Sequence, residues 1–303
     1  MTLHRAADKS KAAPNKGLAE ALRGMLLEKI ESGKLVLPAM PATAARVVEA
    51  IDAGAHQGKA ATLLESDPVL LLEVLRLVNS AAAAPRARID NVAQAVLMLG
   101  EAQLRSVLLA AVARQVFVSR SRSIRETMSK LWTHSVAVAT VSRQIAVHIG
   151  LPDKEVPYLG GLMHDIGKPV VAIHLLELER SITRAKQADW IDPAQWLAIV
   201  QELHRPVGIA VAKHWNMSIQ VCKAIEDCVE FDPVERVSAS NAVRFANALA
   251  KREGVYTGPV DPETTETVLM IGRSMLGLDD GAVASLVQAL RATAAASTES
   301  SEG

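Results

Sequence analysis

The chain has 303 residues, half of them apolar, which is enough for a large core and about two domains. Lys plus Arg and Asp plus Glu both number 33, and the resulting zero net charge argues against a dedicated nucleic-acid binder. Aromatic residues make up only 3% of the chain. Alanine, the strongest helix former, is abundant, so we predict an all-α protein without a base-stacking surface.

The cysteine content and the hydropathy pattern indicate the cellular compartment of the protein. Two cysteines, Cys222 and Cys228, are too few for a disulfide framework and favour a reducing compartment. The longest apolar run, Val107 to Ala113, is far shorter than the roughly 18–20 residues of a membrane span. The polar N-terminus shows no secretory signal. We therefore predict a cytoplasmic protein that does not enter a membrane.

The predicted elements are helices throughout, and they fall into two helical subdomains. In the first, Asp67-Pro68 is a helix start signal and Gly100 ends a helix. The polar, Ser-rich stretch at 119–124 marks the junction. The predicted segments are a disordered tail at 1–16, an N-terminal subdomain at 17–122, a second helical subdomain at 123–252, C-terminal helices at 253–292 and a disordered tail at 293–303.

The first candidate for chemistry in chain order is His134. Leu131, His134, Val138, Val141 and Ile145 follow one another at spacings of three and four, so His134 lies on the buried face of its helix. Two interpretations remain open from the residues alone. His134 is a core histidine that bonds to a backbone carbonyl, or it is a metal ligand.

The second candidate is the segment His164-Asp165-Ile166-Gly167-Lys168, which follows an apolar helix. The adjacent His and Asp offer a nitrogen and an anionic oxygen within one turn, a pair that suits a divalent cation. Gly167 predicts a helix end in the left-handed region. Lys168 then lies near the pocket as a partner for phosphate, or it caps free carbonyl groups.

These residues together resemble the HD superfamily of metal-dependent phosphohydrolases. The family pattern is a His on one helix, a His-Asp pair on a later helix and a distant Asp; His134, His164 and Asp165 match the first three positions. The best match to the last is Asn247, in Ala246-Asn247-Ala248-Leu249-Ala250. An amide there removes one negative charge and weakens the binding of a divalent cation.

The N-terminal half narrows the resemblance to the HDOD family, the HD-related output domains of bacterial signalling proteins. The motifs that carry it occur in order from about residue 30 to 250. They are Leu37-Pro38-Ala39-Met40-Pro41, Asp67-Pro68, Leu75-Arg76-Leu77-Val78-Asn79-Ser80, Leu99-Gly100, Trp132-Thr133-His134-Ser135 and the His-Asp pair. The resemblance implies an N-terminal helical bundle packed on an HD-like helical bundle.

His204 is a further candidate ligand. With Gly208 it resembles the His-x-x-x-Gly element of two-metal HD relatives. The His-His pair that accompanies this element is absent, because the corresponding stretch reads Ile225-Glu226-Asp227-Cys228. A second metal site therefore looks incomplete, and His204 is either a ligand or an ordinary buried polar residue.

Three functions follow from the resemblance. The first is a regulatory output protein that binds a signalling protein partner and has an inactive HD-like pocket. The second is a phosphohydrolase acting on a nucleotide or cyclic dinucleotide, in which His134, His164 and Asp165 hold one Mn, Fe or Mg ion and Lys168 stabilises developing charge. The third is a sensor that binds a nucleotide or metal without hydrolysis. The substitution at position 247 and the missing His-His pair favour the first.

Overall fold

The computed structural model describes residues 16–54, 57–79, 89–119, 122–186 and 193–299. These residues contain helices and no strand, which confirms the predicted all-α class. The thirteen helices of the described residues are α1 (Lys16–Glu31), α2 (Ala42–Asp52), α3 (Gln57–Glu65), α4 (Pro68–Val78), α5 (Val92–Val116), α6 (Arg122–His148), α7 (Glu155–Met163), α8 (Gly167–Lys186), α9 (Pro193–His214), α10 (Ile219–Asp227), α11 (Ala239–Arg252), α12 (Pro262–Leu276) and α13 (Asp280–Glu299).

Two N-terminal helix boundaries form where the sequence predicts them. The Asp67 carboxylate accepts a hydrogen bond from the Leu70 backbone N–H at 3.0 Å, and Pro68 occupies the first turn of α4. At Gly100 the backbone has φ 68°, which interrupts α5 and divides it into two helical segments. The predicted helix end at Gly100 is thus confirmed.

Helix α5 is the one helix among the described residues that is long and apolar enough to cross a membrane by length and composition. The interruption at Gly100 leaves a straight segment of residues 101–116, about 24 Å long, which is shorter than the roughly 30 Å hydrocarbon core of a bilayer. Buried residues make up 56% of its most apolar window. These properties are typical of a core helix.

Two apolar cores organise the helices, and α6 contributes to both. The larger core is continuous from α1 to α10, so it crosses the predicted junction at 119–124. The smaller core joins α6 to α11, α12 and α13, and contains Val138, Val141 and Ile145. Residues 120 and 121 lie outside the described residues, and the subdomain boundaries stay a prediction.

The C-terminal helix corrects the predicted start of the second tail. Helix α13 continues to Glu299, so residues 293–299 are helical instead of disordered. Thr293 is buried, and its Oγ1 donates a hydrogen bond to the Ala289 carbonyl at 2.8 Å. The segment is rich in alanine, whose helix propensity outweighs the small and polar residues beside it. Residues 1–15 and 300–303 of the predicted tails lie outside the described residues.

Candidate metal centre

The candidate site lies where α6, α7, α8 and α9 meet. His134 lies on α6 and is fully buried, as its position in the apolar stripe predicts. His164 ends α7, and Asp165 follows in the turn before α8. Lys168 lies in the first turn of α8, and His204 lies on α9. The fold therefore brings residues that are up to seventy positions apart into one cluster.

Glycines allow these helices to approach closely. A Cβ at Gly161 would lie 2.8 Å from the Ala139 Cα, so only glycine permits α7 to contact α6 at this point. A Cβ at Gly167 would lie 1.8 Å from the His204 carbonyl oxygen. The predicted left-handed conformation of Gly167 is wrong, because Gly167 begins α8 and is not among the positive-φ glycines. The residue is glycine because α8 and α9 touch there.

The three histidines have the same hydrogen-bonding arrangement. The Nδ1 atoms of His134, His164 and His204 lie 2.6, 2.7 and 2.7 Å from the carbonyl oxygens of Val255, Gly161 and Gln201, respectively. A carbonyl only accepts, so each Nδ1 carries the proton and donates, and each Nε2 keeps a lone pair. His134 is thus bonded to a backbone carbonyl and still has the free nitrogen that a metal ligand requires.

The Nε2 atoms converge on the Asp165 carboxylate. Those of His134 and His164 lie 3.7 and 3.4 Å from its Oδ2, and that of His204 lies 3.6 Å from its Oδ1. Burial lowers the pKa of His134 to about 3 and that of His204 to about 4, and it also lowers the pKa of His164. The imidazoles are therefore neutral at pH 7, and acceptor atoms face one another.

Two of these acceptors have no partner. The Nε2 atoms of His134 and His164 are buried without a hydrogen bond. With an Asp165 oxygen they form a group of possible ligand atoms within 4.8 Å of one another. Buried polar atoms are nearly always satisfied, so these atoms fit one divalent cation bound by two nitrogens and one oxygen.

Lys168 is already paired with the same carboxylate. Its Nζ lies 2.6 Å from Asp165 Oδ2, and both side chains are buried. Burial would raise the pKa of the Asp165 carboxyl, but the Lys168 ammonium beside it holds this pKa well below its usual value. Burial also lowers the pKa of Lys168, and the Asp165 charge more than compensates, so that the pKa is raised. The pair is ionised, and Lys168 neutralises the only carboxylate of the cluster among the described residues.

Asn247 lies on α11, which packs against α6 and α7. Its Oδ1 is a further buried acceptor without a hydrogen bond. The side chain is neutral, so it adds no charge to offset a divalent cation. Whether Asn247, His204 or the other candidates bind metal stays a prediction.

Tyr256 and Gln201 were not predicted from the sequence. The Tyr256 ring meets His134 edge-on, with ring centroids 5.1 Å apart, and the Lys168 Nζ lies 5.0 Å from the Tyr256 centroid. Gln201 donates from Nε2 to the Tyr256 Oη at 3.3 Å, while its carbonyl orients His204. The available signal was a lone tyrosine, one of two in the chain, between Gly254 and Gly258.

The cluster is closed to solvent. Its five residues are exposed by 0 to 7% of their surface, from His134 as the least exposed through His164, Asp165 and Lys168 to His204 as the most exposed. A ligand of nucleotide size therefore reaches these atoms only if the covering residues move.

Solved structures with the same fold extend over almost the whole chain. One is a protein from Shewanella amazonensis whose name provisionally assigns it to the metal-dependent phosphohydrolases. It is 20% identical to this chain and superimposes with a TM-score of 0.74, and the match covers 93% of this chain and 99% of the Shewanella chain. An HDOD domain protein of unknown function from Geobacter sulfurreducens is 22% identical with a TM-score of 0.62, over 92% and 97%. At these identities the similarity establishes the fold alone.

Sequence comparison adds a relative and a family. An uncharacterized protein of Treponema pallidum is 25% identical over 192 residues, which are 61% of this chain and 36% of the relative, so the chain spans about a third of that protein's length. The HDOD domain model matches residues 37–230, which include all of the cluster. Asn247 and Tyr256 lie beyond the match. Because the match covers well over half of the sequence, this chain belongs to the HDOD family.

Proposed function

We propose that this protein is a regulatory protein of signal transduction in the cytoplasm, which acts by binding a partner protein and does not turn over a phosphoester. The observation that carries the proposal is the buried ion pair between Lys168 and Asp165 at 2.6 Å. In a phosphohydrolase this carboxylate has to bind a cation. Here a side chain of the protein itself already compensates its charge.

The charge of the site supports the same proposal. Asp165 and Lys168 cancel, and the histidines are neutral, so a bound divalent cation would leave the cluster with a formal charge of +2. A carboxylate at position 247 would reduce this excess, whereas Asn247 does not. Excess charge in a buried site is costly, and we expect low metal affinity.

His134, His164 and Asp165 are the residues that would hold a metal ion, and their nitrogen and oxygen donors suit Mn, Fe or Mg to different degrees. A bound cation supplies a Lewis acid and a water of lowered pKa. The chain's own residues orient the imidazoles through backbone carbonyls, exclude bulk water and hold the Lys168 ammonium beside the carboxylate.

A metal and hydrolysis assay tests the proposal. The purified full-length protein is assayed for bound metal and for hydrolysis of nucleotides, cyclic dinucleotides and p-nitrophenyl phosphate with Mn²⁺, Fe²⁺ or Mg²⁺. We expect the parent protein to hydrolyse these substrates no faster than the His164→Ala variant does. Turnover by the parent protein that His164→Ala removes would overturn the proposal.

The second candidate function is a metal-dependent phosphohydrolase, and the unpartnered Nε2 atoms of His134 and His164 favour it. Asn247→Asp is the matched variant, because it adds the carboxylate of the HD pattern. Tighter Mn²⁺ binding by this variant, without hydrolysis, would support a site that lost catalysis. Stoichiometric metal or nucleotide binding by the parent protein without hydrolysis would support the third candidate, a sensor.

The N-terminal helices supply support for partner binding. Val69 and Leu72 on α4 and Leu97 and Met98 on α5 are large, apolar and exposed, and the two helices pack against each other. Exposed apolar side chains that form a contiguous patch are typical of protein interaction sites, and the contact between α4 and α5 is what such a patch requires. We expect Leu72→Glu with Leu97→Glu to abolish the cellular phenotype of the protein while leaving its melting temperature unchanged. An unaltered phenotype would contradict a role for this surface.

A further inference from the structure

The segment between α11 and α12 covers the cluster, and both of its ends are fixed. At the start, Glu253 accepts hydrogen bonds from Arg252 and Arg291 at 3.1 and 2.8 Å. Val255 N–H donates to the Ala250 carbonyl at 2.9 Å and remains attached to the end of α11. At the other end, Asp261 caps α12 by accepting from the Glu263 N–H at 3.1 Å.

Residues 256–260 between these ends are held much more weakly. None of them makes a backbone–backbone hydrogen bond with another described residue. The Thr257 hydroxyl is buried without a hydrogen-bond partner. The polar and ring contacts of this stretch come from the Tyr256 side chain. Its ring lies 5.0 Å from the ammonium groups of Lys168 and Lys251, and its Oη accepts from Gln201 at 3.3 Å.

Glycines provide the conformational freedom that a moving segment requires. Gly254 and Gly258 have φ angles of +75° and +144°, which favour glycine. A Cβ at Gly258 would lie 3.0 Å from the Tyr256 Cε1 atom, so the ring rests directly on this glycine. A Cβ at Gly254 would meet nothing within 4 Å.

We propose that residues 256–260 form a lid over the His/Asp cluster, with Tyr256 as its latch. When the Tyr256 ring swings away, it uncovers Lys168 and the edge of His134. Val255 stays on α11, so its carbonyl continues to hold the His134 Nδ1 at 2.6 Å. The lid therefore controls access to the cluster without disturbing the orientation of its ligand nitrogens. This inference holds whether the site is catalytic, sensing or inactive.

Histidine labelling by diethyl pyrocarbonate, read by mass spectrometry on the full-length chain after dialysis against a chelator, tests the lid. His148 and His214 are exposed and serve as internal references. We expect Tyr256→Ala to raise the labelling rate of His134, which the ring contacts, at least tenfold, with the reference rates unchanged. Tyr256→Phe keeps the ring and loses only the Oη contact, so we expect an increase below threefold.

Gly258→Ala provides a second route to the open state, because its Cβ would press on the Tyr256 ring at 3.0 Å and its φ of +144° strains any residue with a side chain. We expect faster labelling of His134. Met270→Ala, on an exposed part of α12, is the matched control and should label like the parent. Unchanged rates in both Tyr256→Ala and Gly258→Ala would overturn the proposal. It would also be overturned if labelling rose only together with amide hydrogen exchange throughout α6, which would indicate global unfolding.

Discussion

The N-terminal helices and the helices around the cluster differ in what they bury. Among the described residues before α6, Ser106 is the only buried polar side chain. The later helices bury His134, His164, Asp165, Lys168 and His204 in one place. The interior of the first region is almost wholly apolar, with ion pairs such as Arg114–Glu73 at its margin. The second region depends on an internal balance of charge and hydrogen bonds.

This difference shows that the buried polar cluster is not needed for stability in the way that the apolar core is. A buried ion pair contributes little net stability, and apolar side chains of the same volume are often as stable or more stable. The cluster is therefore not explained by a gain in stability, since apolar residues fill the corresponding interior of the N-terminal helices. Its backbone-oriented imidazoles favour a ligand-related role, present or inherited.

Lys168→Met gives the largest expected change in the free energy of unfolding, because it disturbs the charge balance of the cluster. It removes the ammonium and keeps the chain length, so that Asp165 stays buried without its partner. We expect the free energy of unfolding to fall by about 3–5 kcal/mol, measured by urea denaturation. The double variant Lys168→Met with Asp165→Asn should recover most of the loss. A loss below about 1 kcal/mol would show that the pair is not desolvated in solution.

Leu64→Ala tests the apolar region in the same way. Leu64 is fully buried in the larger core, and its truncation should lower the free energy of unfolding by about 3 kcal/mol. The exposed Leu97 is the matched control, and Leu97→Ala should change stability by less than about 0.5 kcal/mol. Both variants should leave the diethyl pyrocarbonate labelling of the cluster histidines unaltered. A change in labelling would show that the N-terminal core and the cluster are structurally coupled.

Gly167 lies at a close contact between two helices, whereas Gly24 lies on an open helix surface, so the same substitution should have opposite effects at the two positions. Gly167→Ala places a Cβ against the His204 carbonyl, so we expect a loss of about 1–3 kcal/mol in unfolding free energy. Gly24 is exposed on α1, and a Cβ there would meet nothing within 4 Å. We therefore expect Gly24→Ala to raise the free energy of unfolding by about 0.5–1 kcal/mol. Thermal denaturation of both variants measures the difference. Equal effects would contradict the close contact between α8 and α9.

The sequence could predict features that depend on nearby residues. The apolar stripe on α6 located His134 in the core, and Asp67-Pro68 located the start of α4. The His164-Asp165 pair lies in one turn, so its geometry is local. These predictions rest on periodicity and capping, which act within a few residues.

Features that depend on distant contacts were missed or misjudged. Gly167 is glycine because α9 lies against it, and sequence spacing suggested a left-handed turn instead. His204 joins the cluster through the packing of α9, and the sequence left its role open. Tyr256 comes from a loop whose position over the cluster depends on the packing of α11 against α6.

Loss of a helix cap gives the smallest expected loss of stability, and it tests whether the two regions unfold together. Asp67 caps α4 and Ser238 caps α11, each by accepting from a backbone N–H three residues later. We expect Asp67→Ala and Ser238→Ala each to lower the free energy of unfolding by about 1 kcal/mol. Because the two caps lie in different regions, their effects should add in the double variant if the chain unfolds as one unit. Two separate transitions in urea, each sensitive to only one cap, would instead show that the N-terminal helices unfold independently of the cluster. The continuous core from α1 to α10 predicts a single transition.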